Sequence, residues 1–181
     1  MADLTVDDAV MDAVLTASRT LVAVVTASLG AAAEDTTIAQ YRALVVLASR
    51  GPQRMTDLAA ALAVTPSTAG RMCDRLVRKG LIRRHRARAD RRAVQVSITA
   101  AGLQVVSQAT ARRRALIAGI LGKLSPRQQP AVASALQAFA RAAGEIPDGL
   151  WPADPADPAE PQPAARTGPG PARPATAKGR S

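Results

Sequence analysis

The stretch RRHRARADRRAVQVSI, residues 83–98, joins dense positive charge to the alternating pattern of a β-strand. Six of its residues are arginines, and they surround a single acid, Asp90. Like charges at this density repel one another, so the arrangement is unfavourable unless a polyanion binds it. The chemistry that these side chains offer is recognition of phosphate groups; the alternative is a solvated charged face.

The charge of the whole chain supports the first interpretation. The 181 residues carry a net charge of +10, and the pI is about 11.4. Between residues 71 and 92 there are ten basic and two acidic residues, whereas residues 1–35 hold six acidic residues and one basic residue. Because most of the positive charge lies in one short segment, we predict a nucleic-acid-binding surface there.

Few side chains are suited to catalysis or to metal binding. The chain has one histidine, His85, and one cysteine, Cys73, and it shows no phosphate-binding glycine loop or nucleophile–base pair. We therefore predict no enzymatic activity, no cofactor and no metal site. A lone cysteine excludes an internal disulfide framework and fits a reducing compartment. Cys73 is interpreted as a packing residue on the inner face of a helix, with a redox sensor as the alternative.

Two short helices form a predicted helix-turn-helix. The first covers residues 56–62, with Thr56 as N-cap, and the second begins with Thr65 as N-cap and Pro66 at its first position and stops at Gly80. The exposed face of the second helix carries small polar residues and then arginines: Ser67, Thr68, Gly70, Arg71, Arg75 and Arg78. That order suits a helix whose N-terminal end enters a DNA major groove. The alternative is an ordinary amphipathic helix with a basic solvated face.

The arginine-rich stretch then forms a predicted β-hairpin, or wing. Leu81 and Ile82 open one strand, and residues 94–98 return with Val94, Val96 and Ile98 on one face and Gln95 and Ser97 on the other. The hairpin places a set of arginines where they reach phosphates and the narrow minor groove: Arg86, Arg88, Arg91 and Arg92. Asp90 would be repelled by phosphate, so we expect it to fix the tip through hydrogen bonds.

Longer helices flank this unit. Periodicity predicts helices over residues 5–30, with Thr5 as N-cap, over 37–49, over 99–123, and from Ser125 or Pro130 to about 143. The fold class is mainly α with a small β-hairpin wing. The strongly apolar first helix needs a large apolar partner. Residues 1–146 form one domain in this interpretation, and the Pro/Ala-rich residues 147–181, with nine prolines, form a disordered tail.

We expect no membrane-spanning segment, because the apolar stretches fall short of the ~20 residues that a bilayer requires. The N-terminal residues MADLTVDDAV are acidic and lack the basic start of a signal peptide. We therefore predict a cytoplasmic protein.

The sequence resembles the MarR (multiple-antibiotic-resistance regulator) family of bacterial transcription factors over about residues 5–145. The resemblance is carried by IAQYRALVVLAS (38–49), MTDLAAALAVTPSTAGRMCDRLVRKGLIRR (55–84), ADRRAVQVSITAAG (89–102) and LSPRQQ (124–129). The most specific part is DRRAV (90–94) together with ITAAG (98–102). Helix-turn-helix patterns alone are weak signals, and the combination is strong.

The resemblance implies a homodimer joined by the first and the last two helices, binding pseudo-palindromic double-stranded DNA operators, usually as a repressor. It also implies release of DNA by a small aromatic or phenolic ligand, whose binding residues the sequence does not identify. By the same resemblance Arg92 enters the minor groove with Asp90 as its partner, and the recognition contacts are Ser67, Thr68, Gly70, Arg71 and Arg75. The alternative function is a basic winged-helix protein that coats DNA or docks proteins without sequence specificity.

Overall fold

A computed structural model describes residues 7–30, 36–86 and 94–152. The elements in chain order are α1 (Asp8–Leu29), α2 (Ile38–Arg50), β1 (Gln53–Arg54), α3 (Met55–Ala61), α4 (Pro66–Arg78), β2 (Ile82–Arg86), β3 (Val94–Ile98), α5 (Ala100–Leu121), α6 (Gln128–Ala142) and a 3₁₀ turn (Asp148–Leu150). The predicted fold class, mainly helical with a β-hairpin after a helix-turn-helix, is confirmed.

Side-chain caps define where several helices begin. In α2 the Thr37 hydroxyl accepts a hydrogen bond from Gln40 N while the Gln40 side chain accepts one from Thr37 N, which satisfies two amides of the first turn. The predicted cap Thr5 lies outside the described residues; α1 begins at Asp8, and its N-cap is Asp7, which accepts from Ala9 N. The prediction for Thr56 was wrong, because α3 already begins at Met55.

The core is centred on α2. Its side chains Leu44 and Leu47 are fully buried in the lobe that α2, α3, α4 and the sheet form, among Leu58, Met72, Cys73, Leu76, Ile82, Val96 and Ile98. The chain supplies few aromatic residues, so aliphatic packing provides most of the apolar burial that stabilises the lobe. This core fixes α3, α4 and the hairpin relative to one another.

The sheet has three antiparallel strands in the order β1-β3-β2, with Gln53 opposite Val96 and Arg86 opposite Val94. The two-residue strand β1 was not predicted, because two residues show no alternation. Burial along β3 does not follow the alternation of apolar and polar residues, since Val94 is exposed and Ser97 is fully buried. Ser97 is accommodated there because the Arg83 Nε donates a hydrogen bond to its hydroxyl at 3.2 Å.

Helix α5 meets this lobe at a point of close backbone approach. Thr99 caps the helix, accepting from Gly102 N at 3.2 Å and donating to Gly80 O at 2.7 Å. A Cβ added to Gly102 would lie 2.2 Å from Leu81 O. Glycine at position 102 therefore allows α5 to begin directly against the start of β2.

Helices α1, α5 and α6 form a second, more open layer. No residue of α6, among those the structure describes, is buried within the chain, and in α1 only Val24, Ser28 and Leu29 are. Helix α6 begins at Gln128 rather than at Ser125 or Pro130. Pro130 therefore lies in the first turn, where its missing N–H has no intrahelical partner to lose.

The membrane expectation also needs correction for one element. Helix α1, with 22 residues, is long and apolar enough to cross a bilayer by length and composition. Helices of this length and composition also occur in water-soluble proteins, where their apolar face is packed against other helices. Here α1 packs along α5, and its other apolar side chains line a groove of about 730 Å³ between α1, α5 and α6.

The chain continues in an ordered conformation past residue 146, where we expected a tail to begin. After α6 it forms the 3₁₀ turn, and Trp151 packs against the core. Residues 153–181 lie outside the described part, so the division into a domain and a tail stays a prediction.

Candidate nucleic-acid interface

The N-terminal end of α4 presents a cluster of hydroxyl groups. Thr65 Oγ1 accepts from Thr68 N at 3.3 Å and lies 3.0 Å from Thr68 Oγ1 and 3.1 Å from Ser67 Oγ. Pro66 occupies the first helical position, as predicted. Thr65, Pro66 and Ser67 are exposed, so the first turn is open to a ligand that approaches along the helix axis.

The next turns of α4 carry the predicted arginines on the exposed side. Arg71 and Arg75 are exposed, and Arg71 Nη2 lies 3.5 Å from Thr68 Oγ1. A Cβ added to Gly70 would meet no atom within 4 Å, so the surface beside these arginines is unobstructed. The opposite side is apolar and buried, with Ala69, Met72, Cys73 and Leu76. Of the positions predicted to be exposed, four are exposed and two are half-buried: Ser67, Arg71, Arg75 and Arg78 belong to the first group, and Thr68 and Gly70 to the second.

An ion pair between α4 and the hairpin was not predicted. Arg84 Nη2 of β2 lies 2.7 Å from Asp74 Oδ1 of α4 and 3.5 Å from Gly70 O. Arg84 therefore neutralises the acid of the recognition helix and connects that helix to the wing. The sequence shows both charges, but only the packing of β2 against α4 brings them together.

The wing is only partly described. Arg86 is exposed at the end of β2, next to the tip. Arg88, Asp90, Arg91 and Arg92 lie outside the described residues, so their predicted roles stay predictions.

The cysteine and the histidine of the chain do not form a catalytic or metal site within its described part. Cys73 is fully buried, and burial raises the pKa of its thiol, with Arg84 lowering it and Asp74 raising it further. The thiol form is therefore favoured, as in a packing residue. His85 Nδ1 lies 3.3 Å from Arg86 O. No group of three or more metal-ligating side chains occurs among the described residues.

A second candidate site lies on the other side of α2. A cleft of about 610 Å³ is formed by α1, α2, α5 and the segment after α6. Arg113 Cζ lies 5.2 Å from the ring centroid of Tyr41 in a cation–π contact. The Tyr41 hydroxyl and the Arg113 Nε and Nη2 are buried and have no hydrogen-bond partner among the described residues. No pattern in the sequence connects Tyr41 with Arg113, because the two residues are 72 positions apart.

The opposite wall of this cleft is closed by an ion pair. Arg42 donates to both carboxylate oxygens of Glu145, at 2.7 and 2.6 Å. The hydrogen bonds from Arg42 lower the pKa of Glu145, against the effect of burial and with the help of the charges of Arg42 and Arg50. Glu145 is therefore charged throughout the neutral range.

Known proteins resemble this chain in the region that contains α4 and the hairpin. A sequence model of the MarR family matches residues 36–94, from just before α2 to the first residue of β3. YhbI of Bacillus subtilis strain 168, an uncharacterized HTH-type transcriptional regulator, is 29% identical over 94 residues, which are 52% of this chain and 61% of YhbI. The chain thus spans about three fifths of the length of this curated relative.

Two crystal structures extend the likeness to the flanking helices. RV1404 from Mycobacterium tuberculosis is 42% identical, with a TM-score of 0.73 over 78% of this chain and 96% of RV1404. The transcriptional regulator BldR from Sulfolobus solfataricus is 26% identical, with a TM-score of 0.58 over 81% of this chain and all of BldR. The family match covers the helix-turn-helix and the first strand of the hairpin, and the likeness to the two solved structures extends over about four fifths of the chain. The chain therefore belongs to the MarR family of winged helix-turn-helix transcriptional regulators.

Proposed function

We propose that the protein is a dimeric, sequence-specific DNA-binding regulator that represses transcription and is released by a small molecule. The observation that carries the proposal is the exposed face of α4, where Ser67 and Thr68 are followed by Arg71 and Arg75. Hydroxyl and guanidinium groups are the donors and acceptors that read base edges in the major groove. The hairpin beside α4 supplies further arginines for the phosphates and the minor groove: Arg86, Arg88, Arg91 and Arg92.

The second copy of the chain is the partner that the open helical layer supports. The groove between α1, α5 and α6 is lined by apolar side chains that are exposed in the single chain, among them Val10, Leu21, Ile120 and Leu136. Burying such a face against a second copy removes apolar surface from water and pairs two recognition helices. Two helices related by a two-fold axis would bind half-sites about one helical turn apart.

The cleft around Tyr41 and Arg113 supports the effector part of the proposal. It combines apolar walls, such as Val45 and Ile117, with buried donors that lack a partner among the described residues. A small aromatic or phenolic ligand would place its ring against the apolar wall and its polar group on these donors. Helix α2 belongs to the lobe that carries α4, and α5 belongs to the layer formed by α1, α5 and α6. A ligand in this cleft would therefore contact both the lobe and the layer.

Several finer points belong to the same proposal. Membership of a regulator family and the arrangement of α4 support a non-enzymatic role in the cytoplasm, where bacterial DNA is accessible. The dimeric DNA-binding domain predicted over residues 1–146 would also include the 3₁₀ turn and Trp151, and the Pro/Ala-rich residues that follow would extend from it.

Competition between DNA sequences tests the function directly. Bound duplexes are selected from a random pool, and the selected sequence competes with a scrambled duplex over a range of salt concentrations. Base reading predicts an advantage of roughly 10³-fold or more for the selected sequence at physiological salt. Binding by charge alone predicts the same affinity for both DNAs at every salt concentration. In a plot of log K against log salt concentration, each neutralised phosphate then contributes about −0.9 to the slope. Equal curves would favour the alternative, a DNA-coating protein.

A further inference from the structure

The segment that follows α6, residues 145–151, lines the cleft beside α2 and α5, and we call it the strap. At its first residue, Glu145 is held by Arg42 of α2 through two charge-assisted hydrogen bonds. This pair joins residues 103 positions apart and is the polar contact that ties the strap to the DNA-binding lobe.

At its far end the strap is held by an aromatic side chain. Trp151 is half-buried against the core, and its indole Nε1 donates to Ile146 O at 3.0 Å, which folds the strap back on itself. Between the two ends, Asp148 Oδ2 lies 4.0 Å from Arg114 Nη2, and both side chains are largely exposed. The strap is thus attached at Glu145 by two short hydrogen bonds, at Trp151 by packing, and at Asp148 by a long contact only.

The strap is also a wall of two neighbouring cavities. Asp148 and Trp151 line the 610 Å³ cleft and a second cavity of about 420 Å³ along α5, and Thr110 lines both from the helix side. If the strap moves away, both cavities lose a wall that they share and become more open to solvent. The unpartnered groups of Tyr41 and Arg113 would then be reachable from outside.

The contacts that hold the strap are few and are accessible to water. The Arg42 and Glu145 side chains remain 41% and 39% exposed, and exposed ion pairs stabilise only weakly. Segments with few buried contacts open at a small fraction of the global free energy of unfolding. The strap can therefore open while the core of α2 and α4 stays folded.

We propose that residues 145–151 form a lid, held by the Arg42–Glu145 pair, which must open before a small molecule can enter or leave the cleft. The proposal deepens the effector role proposed above and rests on it for its biological meaning. The motion itself is independent of any ligand and is tested without one.

The test measures how fast the interior of the cleft becomes accessible. Thr110→Cys places a thiol where both cavities meet, and its reaction with a disulfide reagent is followed in the full-length dimeric protein. The parent chain, whose Cys73 is fully buried, gives the background rate. Glu145→Gln then removes the ion pair with almost no change of shape, and Asp148→Asn removes the neighbouring, weakly paired carboxylate as the matched control.

If the strap is a lid, Glu145→Gln speeds labelling about fivefold, the loss expected for one ion pair, while Asp148→Asn changes it less than twofold. The sole tryptophan, Trp151, should also become more accessible to iodide quenching in Glu145→Gln. Equal labelling rates in Glu145→Gln and Asp148→Asn, with both proteins folded by circular dichroism, would overturn the lid.

A separate measurement decides the effector proposal. Operator binding is titrated with benzoate and with phenol as probes of the two polar groups that a small aromatic ligand can carry. If labelling shows the lid but neither probe nor a wider set of aromatic compounds weakens operator binding, the effector function fails and the lid stands. If the probes act while labelling is unchanged by Glu145→Gln, the lid fails and the effector function stands.

Discussion

At the scale of single residues, the recognition helix mixes groups that attract DNA with one that repels it. Arg71 and Arg75 are exposed and basic, whereas Asp74 on the same helix carries the opposite charge. The 2.7 Å contact from Arg84 compensates that charge. The electrostatic potential of this face therefore depends on Arg84, which lies outside the helix. Mutation of an exposed arginine of α4 and mutation of Arg84 should have different effects on DNA binding.

Arg71→Ala should reduce the preference for the operator over random DNA by roughly 1–3 kcal/mol, because a side chain that reads bases is lost. The thermal stability should not change, since Arg71 is exposed. Competition binding with both DNAs measures the effect. Lys123→Ala, which removes one positive charge from the α5–α6 loop, is the control. A uniform loss on both DNAs would show that Arg71 contacts only phosphate.

Arg84→Ala should weaken DNA binding about tenfold, because Asp74 is left uncompensated beside the phosphates. Folding should change by less than about 1 kcal/mol, since the pair is exposed. Adding Asp74→Asn to Arg84→Ala should restore most of the affinity, which filter binding or fluorescence anisotropy measures. No recovery in the double variant would mean that Arg84 contacts DNA itself.

At the scale of elements, the junctions decide how the helices are placed. Helix α5 begins against the backbone of Leu81 with only a hydrogen atom at position 102 between them. The segment after α6 is connected to α2 by Arg42 and Glu145 and to the core by Trp151. Both junctions join the DNA-binding lobe to the outer helices.

Gly102→Ala should lower the free energy of unfolding by roughly 1–3 kcal/mol, because its Cβ would overlap with Leu81 O and the backbone must shift. Gly70→Ala is the matched control, since it also replaces a helical glycine but in open space, and should leave stability unchanged or slightly higher. Chemical denaturation of both variants measures this. Equal loss in the two would rule out the close approach as the cause.

Two truncations separate the strap from the rest of the C-terminal segment. A chain that ends at Pro152 should keep the thermal stability of the full chain, because the described contacts are retained. A chain that ends at residue 144 loses Trp151 and Glu145, and its unfolding free energy should fall by roughly 1–2 kcal/mol through lost apolar burial. Calorimetry compares the two, and equal melting temperatures would show that the strap contributes nothing to folding.

At the scale of the whole molecule, the exposed apolar groove is the feature that a single chain leaves unsatisfied. Leu21 of α1 is 44% exposed and Leu136 of α6 is 47% exposed, and both line it. Contiguous apolar surfaces of this kind mark sites of association. A two-fold assembly would cover the groove and set the spacing of the two α4 helices.

Leu21→Glu together with Leu136→Glu should convert the proposed dimer into a monomer and abolish tight binding to the selected DNA, because two charges would be buried at the interface. Leu150→Glu, which changes the more exposed leucine of the 3₁₀ turn outside the groove, is the control. Sedimentation velocity at micromolar concentration gives the mass. A parent protein that is itself monomeric at that concentration would contradict the assembly.

The sequence by itself determined the features that depend on near neighbours. Thr65 with Pro66, and Thr99, each mark a helix start, because caps act over two or three residues. The apolar side of α4 and its basic side also follow from helical spacing alone. These local signals were sufficient for the winged helix and for the exposed positions of the recognition helix.

Only the tertiary structure decided the contacts between distant segments. The pairs Arg84–Asp74 and Arg42–Glu145, the hydrogen bond from Arg83 that accommodates a buried Ser97, and the cleft at Tyr41 and Arg113 all join different elements. Periodicity identifies which face of an element is apolar, but it does not specify which neighbour covers that face. That choice depends on how the whole chain packs, because the free energy of such contacts arises only when the elements meet.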